Sequence, residues 1–262
     1  MSAEKPLLVE RHSEGVVVLT LSVPDRRNAM TTELTAAWRD TIAGLRGDDE
    51  VRCVIVTGSG SAFCAGGDLD WLGDARDEPV DFFRARMSAF YRDWLSIRKL
   101  EVPTVAALNG AAVGAGLSLA LACDLRYATP TAAMSVPFTA LGLHPGMATT
   151  WLLPEVTSVA VARDLLLTGR VVRGPEALAL GLVSGLAEDV LGRALSVGSA
   201  IAGKAPLATR LTKAALARGG HRSIADALEW EALAQPVTMA TEDLHEGLAA
   251  QRQRRRPDFT GR

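Results

Sequence analysis

The stretch Asn109-Gly-Ala-Ala-Val-Gly-Ala-Gly-Leu-Ser-Leu-Ala-Leu-Ala-Cys-Asp124 contains no acidic or basic side chain before Asp124, so any chemistry it performs comes from its main chain. Val54-Ile-Val-Thr-Gly-Ser-Gly-Ser-Ala-Phe-Cys-Ala-Gly-Gly-Asp68 repeats the plan: an apolar strand, a loop of small residues, then a helix start. Small residues let a ligand approach the backbone closely, and successive N–H groups at a turn or helix N-terminus form an anion site. Two such loops facing one point make an oxyanion hole for a carbonyl oxygen that gains charge as an enolate or tetrahedral species forms. One well-placed donor of this kind is worth about 3–4 kcal/mol of transition-state stabilisation.

Other glycine motifs fit less well. A dinucleotide fingerprint requires G-x-G-x-x-G, but the third position holds Leu119 after Gly114-Ala-Gly116 and Phe63 after Gly58-Ser-Gly60. The Lys-Ser/Thr ending of a P-loop is absent. Gly116-Leu-Ser-Leu-Ala120 approximates a nucleophile elbow, with Ser118 as nucleophile and His144, His221 or His245 as base, which keeps a serine hydrolase as an alternative. An elbow serine follows its strand directly, however, whereas Ser118 lies well beyond Leu108.

Alternating strands and helices must position these loops. Val16–Leu21, Val51–Thr57 and Pro103–Leu108 are β-branched or apolar runs bounded by Gly or Pro, and Leu125–Ala128 and Ala133–Val136 read as short strands. Leu34, Trp38, Ile42 and Leu45 make one face of a helix capped by Thr31 or Thr32, and Phe83, Met87, Phe90, Trp94 and Ile97 make a second stripe. From Pro175 onward the pattern is mainly helical: Glu176–Leu180, Val190–Gly203, Pro206–Arg218, Ser223–Trp230 and Thr241–Arg256. The organisation expected is a core over residues 1–200 and a helical region over residues 201–262.

A chain of 262 residues that is 48% hydrophobic can bury a large core, and a net charge of −2 gives no electrostatic reason to expect nucleic acid or an anionic membrane as partner. The three cysteines, Cys53, Cys64 and Cys123, show no paired spacing, so neither a disulfide framework nor a metal cage is expected. Neither a targeting segment nor a membrane span is expected, and the chain reads as cytoplasmic.

Ser61-Ala-Phe-Cys-Ala-Gly-Gly-Asp-Leu69, Asn109 to Gly116 running on to Asp124, and Leu141-Gly-Leu-His-Pro-Gly146 resemble successive signatures of the enoyl-CoA hydratase/isomerase (crotonase) family. Pro24-Asp-Arg-Arg-Asn-Ala-Met30, Leu167-Thr-Gly169, Ala177 to Val183 and Arg256-Pro-Asp-Phe259 extend the resemblance over nearly the whole chain. It implies an α/β fold of the ClpP/crotonase type, a spiral of β-β-α units whose C-terminal helices mediate a homotrimer or a dimer of trimers. It implies a CoA thioester as substrate, with coenzyme A entering as part of that substrate and no permanently bound cofactor. The thioester oxygen would sit between the N–H groups of Gly67 and Ala115. Ala65, Asp68 and Leu69 match the strip along the CoA path. Asp70 falls where some members carry a lysine near the CoA phosphates, and Arg26 and Arg27 could replace that cation.

The resemblance breaks at the acids. Hydratases of this family carry two glutamates for general acid–base work, and the matching positions here are Ser118 and Phe138. Phe138 cannot move a proton, and Ser118 is a poor base unaided. His144, in the loop after Phe138, is the leading candidate for the missing base because imidazole titrates near neutrality. Asp74, Asp77, Glu78 and Asp81 border the acyl pocket in relatives and otherwise read as solvated. Cys64 reads as a small buried filler, and Phe138 and Trp71 as apolar walls for the acyl chain. The expectation is an acyl-CoA enzyme of this family, with a non-catalytic CoA-thioester binding protein as the alternative.

Overall fold

The computed structural model describes residues 5–68, 78–217 and 223–262. Strands β1 (Leu7–Arg11), β2 (Val16–Leu21), β3 (Cys53–Gly58), β5 (Thr104–Leu108), β7 (Leu125–Ala128) and β10 (Gly185–Leu186) form one sheet in the order β1-β2-β3-β5-β7-β10. Apart from the antiparallel pair β1/β2, its strands run parallel. A second sheet, ordered β4-β6-β8-β9, comprises β4 (Ala62–Cys64), β6 (Ala111–Val113), β8 (Ala133–Ser135) and β9 (Val172–Arg173). Each of β3, β5 and β7 hands the chain to a short strand of the second sheet, which is the β-β-α spiral expected.

Side-chain alternation along the strands builds two cores. Val17, Leu19, Leu21, Val54, Val56, Ala106 and Leu108 face inward with helices α1 (Thr32–Leu45), α2 (Val80–Trp94) and α3 (Ala115–Ala122). The alternate residues Val16, Val18, Cys53, Ile55, Val105 and Ala107 face outward, where α7 (Val190–Ala202) covers them. Between lie α4 (Thr149–Val156), α5 (Val159–Thr168) and α6 (Gly174–Ala179). Thr31 caps α1 by accepting from the Leu34 N–H at 3.2 Å, and Trp38 of α1 stacks on Trp94 of α2 with ring centroids 5.0 Å apart. The C-terminal helices are α8 (Pro206–Ala217), α9 (Ile224–Met239) and α10 (Glu242–Gln253).

Several expectations need adjustment. The small-residue loops themselves contain strands β4 and β6, three residues each and too short for strand propensity to reveal. Helix α9 continues to Met239 instead of stopping near Trp230, carrying Pro236 inside its last turn. Helices α4 and α5, over Thr149–Thr168, have no counterpart in the sequence reading, which also left out the edge strand β1.

Two asparagines clamp the turn between β3 and β4. The Asn28 side chain accepts from the Val23 N–H at 2.9 Å and donates to the carbonyls of Ser59 and Ala62 at 2.9 and 2.8 Å. Asn109 accepts from the Gly58 N–H at 3.1 Å and donates to the Gly60 carbonyl at 3.0 Å. Asn28 is fully buried in left-handed backbone at φ 57°, a conformation that asparagine tolerates better than most residues. At the far end of α3, the Asp124 carboxylate accepts from the N–H and hydroxyl of Thr104 and pairs with Lys213 at 2.8 Å, tying the helix to β5 and α8.

Asn28→Ala strands buried donors and acceptors and forces alanine into left-handed backbone, so unfolding by urea is expected to show a loss of about 3 kcal/mol. A loss below about 1 kcal/mol, the net value of one ordinary hydrogen bond, would contradict the clamp.

Candidate functional site

The two small-residue loops meet main chain to main chain. A side chain on Gly116, in the first turn of α3, would place its Cβ 2.2 Å from the Cys64 carbonyl oxygen of β4. On Gly110 it would fall 2.1 Å from the Ser61 carbonyl oxygen, and on Gly66 it would fall 2.6 Å from the Val113 carbonyl oxygen and 3.4 Å from the Ala115 nitrogen. Gly66 also adopts φ 99°, which L side chains avoid. These contacts explain the composition of both loops: glycine is the residue that lets β4, β6 and α3 close on one another.

Gly67 and Ala115 consequently line a single cavity of about 140 Å³. Ala115 is the first residue of α3, so its N–H is one of those the helix leaves without an i−4 acceptor. Gly67 is bridged in parallel to Met30, whose N–H donates to the Gly66 carbonyl at 2.8 Å. In that bridge the hydrogen bonds run from Met30 to the residues flanking Gly67, so the Gly67 N–H points away from Met30. Most of the remaining wall is apolar, with Met87, Phe90, Pro137, Phe138, Leu141 and Leu143 on it.

Phe138 stands on this wall, its ring 3.7 Å from where a Cβ on Gly114 would lie. His144 also lines the cavity and is exposed; its Nδ1 lies 2.8 Å from the Pro145 carbonyl oxygen. A carbonyl can only accept, so Nδ1 carries a proton in this contact, which leaves Nε2 as the nitrogen turned to other partners. Ser118 is fully buried and does not line the cavity. Its hydroxyl contacts the Gly114 carbonyl at 3.0 Å and Thr149 Oγ1 at 2.5 Å, while Thr149 donates to the Gly146 carbonyl at 2.5 Å. Ser118 donates to the Gly114 carbonyl and Thr149 to the Gly146 carbonyl, and the close contact between the two hydroxyls packs Ser118 against the 146–149 loop. That arrangement contains no histidine and gives no support to a nucleophilic Ser118.

Asp68 is buried and holds Arg26 in a two-pronged ion pair, with contacts of 2.8 and 3.2 Å. Such a pair fixes the chain immediately after Gly67. Arg27 is exposed, and its carbonyl accepts from the Ala65 N–H at 3.0 Å. Leu69, Asp70, Trp71, Asp74 and Asp77 lie outside the described residues; Glu78 and Asp81 are exposed and are not part of the cavity wall. The Cys64 thiol donates to the Asn28 carbonyl at 3.0 Å, and complete burial pushes its pKa up to about 12, so it is an inert filler and not a nucleophile.

The sequence reading overlooked Tyr91. It appears as an unremarked neighbour of the Phe90–Trp94 stripe, yet it is half-buried on the cavity wall, and desolvation raises its pKa above the ordinary value. Its only sequence signal is a polar-tipped aromatic residue one position off an apolar helical stripe.

A family model described as Enoyl-CoA hydratase/isomerase matches residues 11–262. The chain is 41% identical over 217 residues to a Mycobacterium tuberculosis protein named "Probable enoyl-CoA hydratase EchA14", covering 82% of each chain. It is 37% identical over 256 residues to the human "Enoyl-CoA hydratase domain-containing protein 2, mitochondrial", covering 95% of this chain and 87% of that one. The crystal structure of enoyl-CoA hydratase from Bacillus anthracis superposes with a TM-score of 0.92 at 30% identity, over 98% of this chain and all of that one. By its fold, its two-loop cavity and this end-to-end match, the chain belongs to the enoyl-CoA hydratase/isomerase family.

Proposed function

We propose that this protein is an acyl-CoA enzyme that stabilises a thioester enolate between the N–H groups of Gly67 and Ala115. The observation carrying this reading is that the two residues, contributed by separate strand-turn-helix units, share one apolar cavity. Dipoles fixed in such surroundings act with little water to screen them and with little reorganisation as charge develops. The N-terminal end of α3, fully buried along its length, adds its partial positive charge on the same side.

The acyl chain packs among Met87, Phe90, Phe138, Leu141 and Leu143. Among the described residues, the cavity wall carries no cation, so it favours an apolar acyl group over one ending in a carboxylate. Arg27 and, beside its pairing with Asp68, Arg26 serve the CoA phosphates, with Ala65 and Leu69 along the same path. His144 Nε2 is the base. The two-glutamate hydratase arrangement is not used, since Ser118 and Phe138 occupy its positions. Coenzyme A arrives with each substrate, and the protein acts as a cytoplasmic enzyme; among the described residues no helix is long and apolar enough to cross a membrane.

The resemblance also implies assembly as a trimer or a dimer of trimers, and helix α9 supports it. That helix buries none of its residues in the single chain while exposing Leu228, Leu233 and Val237, with Leu233 71% exposed. A helix with such a surface needs a partner.

Ala115→Pro tests the backbone donor where proline is structurally tolerated, the first position of a helix. The variant is expected to fold, by circular dichroism, and to lose about 10²–10³-fold in kcat over a panel of enoyl-CoA substrates. Folded A115P with wild-type turnover would remove Ala115 from the site. If the wild type binds these thioesters tightly and turns over none, the protein is a CoA-thioester binding protein; covalent labelling of Ser118 by a fluorophosphonate would instead favour the hydrolase. Light scattering on a sizing column is expected to give a mass that is a trimeric multiple of 27.7 kDa, and a monomer would refute the assembly.

A further inference from the structure

We infer that the phenol of Tyr91 is the proton donor to the acyl α-carbon in this cavity, taking over a task that Ser118 and Phe138 cannot perform. This inference rests on the thioester reading above and assigns the acid to the base already proposed. Of the described residues on the cavity wall, Tyr91 and His144 alone have side chains that exchange protons. The rest of the wall is aliphatic, aromatic, thioether or glycine.

Three observations place the phenol. Its ring packs edge-on against Phe90, with centroids 6.1 Å apart, which fixes its direction on α2. Its hydroxyl rests on Gly146, where an added Cβ would lie 2.5 Å from the oxygen, so glycine there is what admits the phenol. The Gly146 carbonyl is engaged by the hydroxyl and the N–H of Thr149, and the Ser118 hydroxyl packs on Thr149 Oγ1 at 2.5 Å, so the surface beneath the phenol is itself held in place. Among the described residues no group forms a hydrogen bond with the Tyr91 hydroxyl, which leaves it to whatever enters the cavity. A half-buried phenol among apolar side chains keeps its proton at neutral pH, the state an acid requires.

For an enoyl thioester the step balances as follows. Water adds its oxygen to the β-carbon while His144 Nε2 takes one of its protons, and the electron pair moves onto the thioester oxygen between Gly67 and Ala115. As the enolate collapses, the O–H bond of Tyr91 breaks and the proton forms a C–H bond at the α-carbon. The protonated His144 then returns its proton to the phenolate through solvent, leaving both groups as they began. On a saturated thioester the α-C–H bond breaks, His144 Nε2 takes the proton and the electron pair moves onto the thioester oxygen; Tyr91 then returns a proton to the α-carbon, and both groups exchange their protons with solvent.

Tyr91→Phe removes one oxygen atom and keeps the ring packing. With crotonyl-CoA the variant is expected to lose about 10²–10⁴-fold in kcat, the usual range for a lost general acid, with KM changed little. With butyryl-CoA in D₂O, the wild type is expected to incorporate α-deuterium by mass spectrometry. The variant is expected to bind the same thioester normally by calorimetry and to lose the exchange. Gly146→Ala, which pushes the phenol aside, is expected to fall in the same direction. Y91F with kcat and exchange near the wild type overturns the assignment. Wild type that binds both thioesters but neither exchanges the α-proton of butyryl-CoA nor hydrates crotonyl-CoA overturns the enolate reading together with this one. Wild type that fails to bind either thioester overturns the acyl-CoA reading itself.

Discussion

Direct contact between the main chains of two strand-turn-helix units is the constraint on which the rest depends. Gly116 against the Cys64 carbonyl, Gly110 against the Ser61 carbonyl and Gly66 against the Val113 carbonyl are each too close for any side chain. Interiors are close-packed and transmit small displacements, so a methyl group at any of these places would shift one unit against the other. What moves is the relation between Gly67 and Ala115. The glycines therefore do their work in packing, and the two amides derive their placement from it.

The same economy shapes the electrostatics of the cavity. Helix α3 buries all eight of its residues, so it has no polar face on which to slide or rotate toward solvent. Its N-terminal amide stays where the fold puts it. Behind it, the Ser118 and Thr149 hydroxyls donate to the carbonyls of Gly114 and Gly146, satisfying buried polar groups that would otherwise cost about 1–3 kcal/mol each. In front, the Phe138 ring lies over Gly114 at the start of the helix. An uncharged pocket built this way can polarise a carbonyl without burying a formal charge of its own.

Much of this was legible in the sequence, for physical reasons that differ from element to element. The β-branched runs of β2 and β3 and the Leu34–Trp38–Ile42 stripe announce themselves by period, and the strand-loop-helix repeat exposed the two-loop site because small residues in succession are rare without a close approach to explain them. Strands β4 and β6 were hidden, since runs of three residues acquire strand geometry from their neighbours and not from propensity. Tyr91 was hidden for a related reason. Its importance comes from Gly146, a residue 55 positions away, and no local pattern connects the two. The pairing of Arg26 with Asp68 is equally non-local: each was assigned to the CoA side separately, and only the fold brings them together.

The surroundings of Ser118 are closed to a larger side chain. A glutamate there would add three heavy atoms at a point where the serine oxygen already sits 2.5 Å from Thr149 and 3.0 Å from a carbonyl. It would also bring a charge into a place with no exposure to water, a cost of several kcal/mol without a paired cation. Ser118, Thr149, Gly146 and Tyr91 consequently fit one another as a set: the serine anchors the threonine, the threonine anchors the glycine carbonyl, and the glycine leaves room for the phenol. The two amides that line the cavity are independent of that set, because amide N–H groups belong to every residue except proline. A change among those side chains leaves the amides where the packing of the two loops puts them.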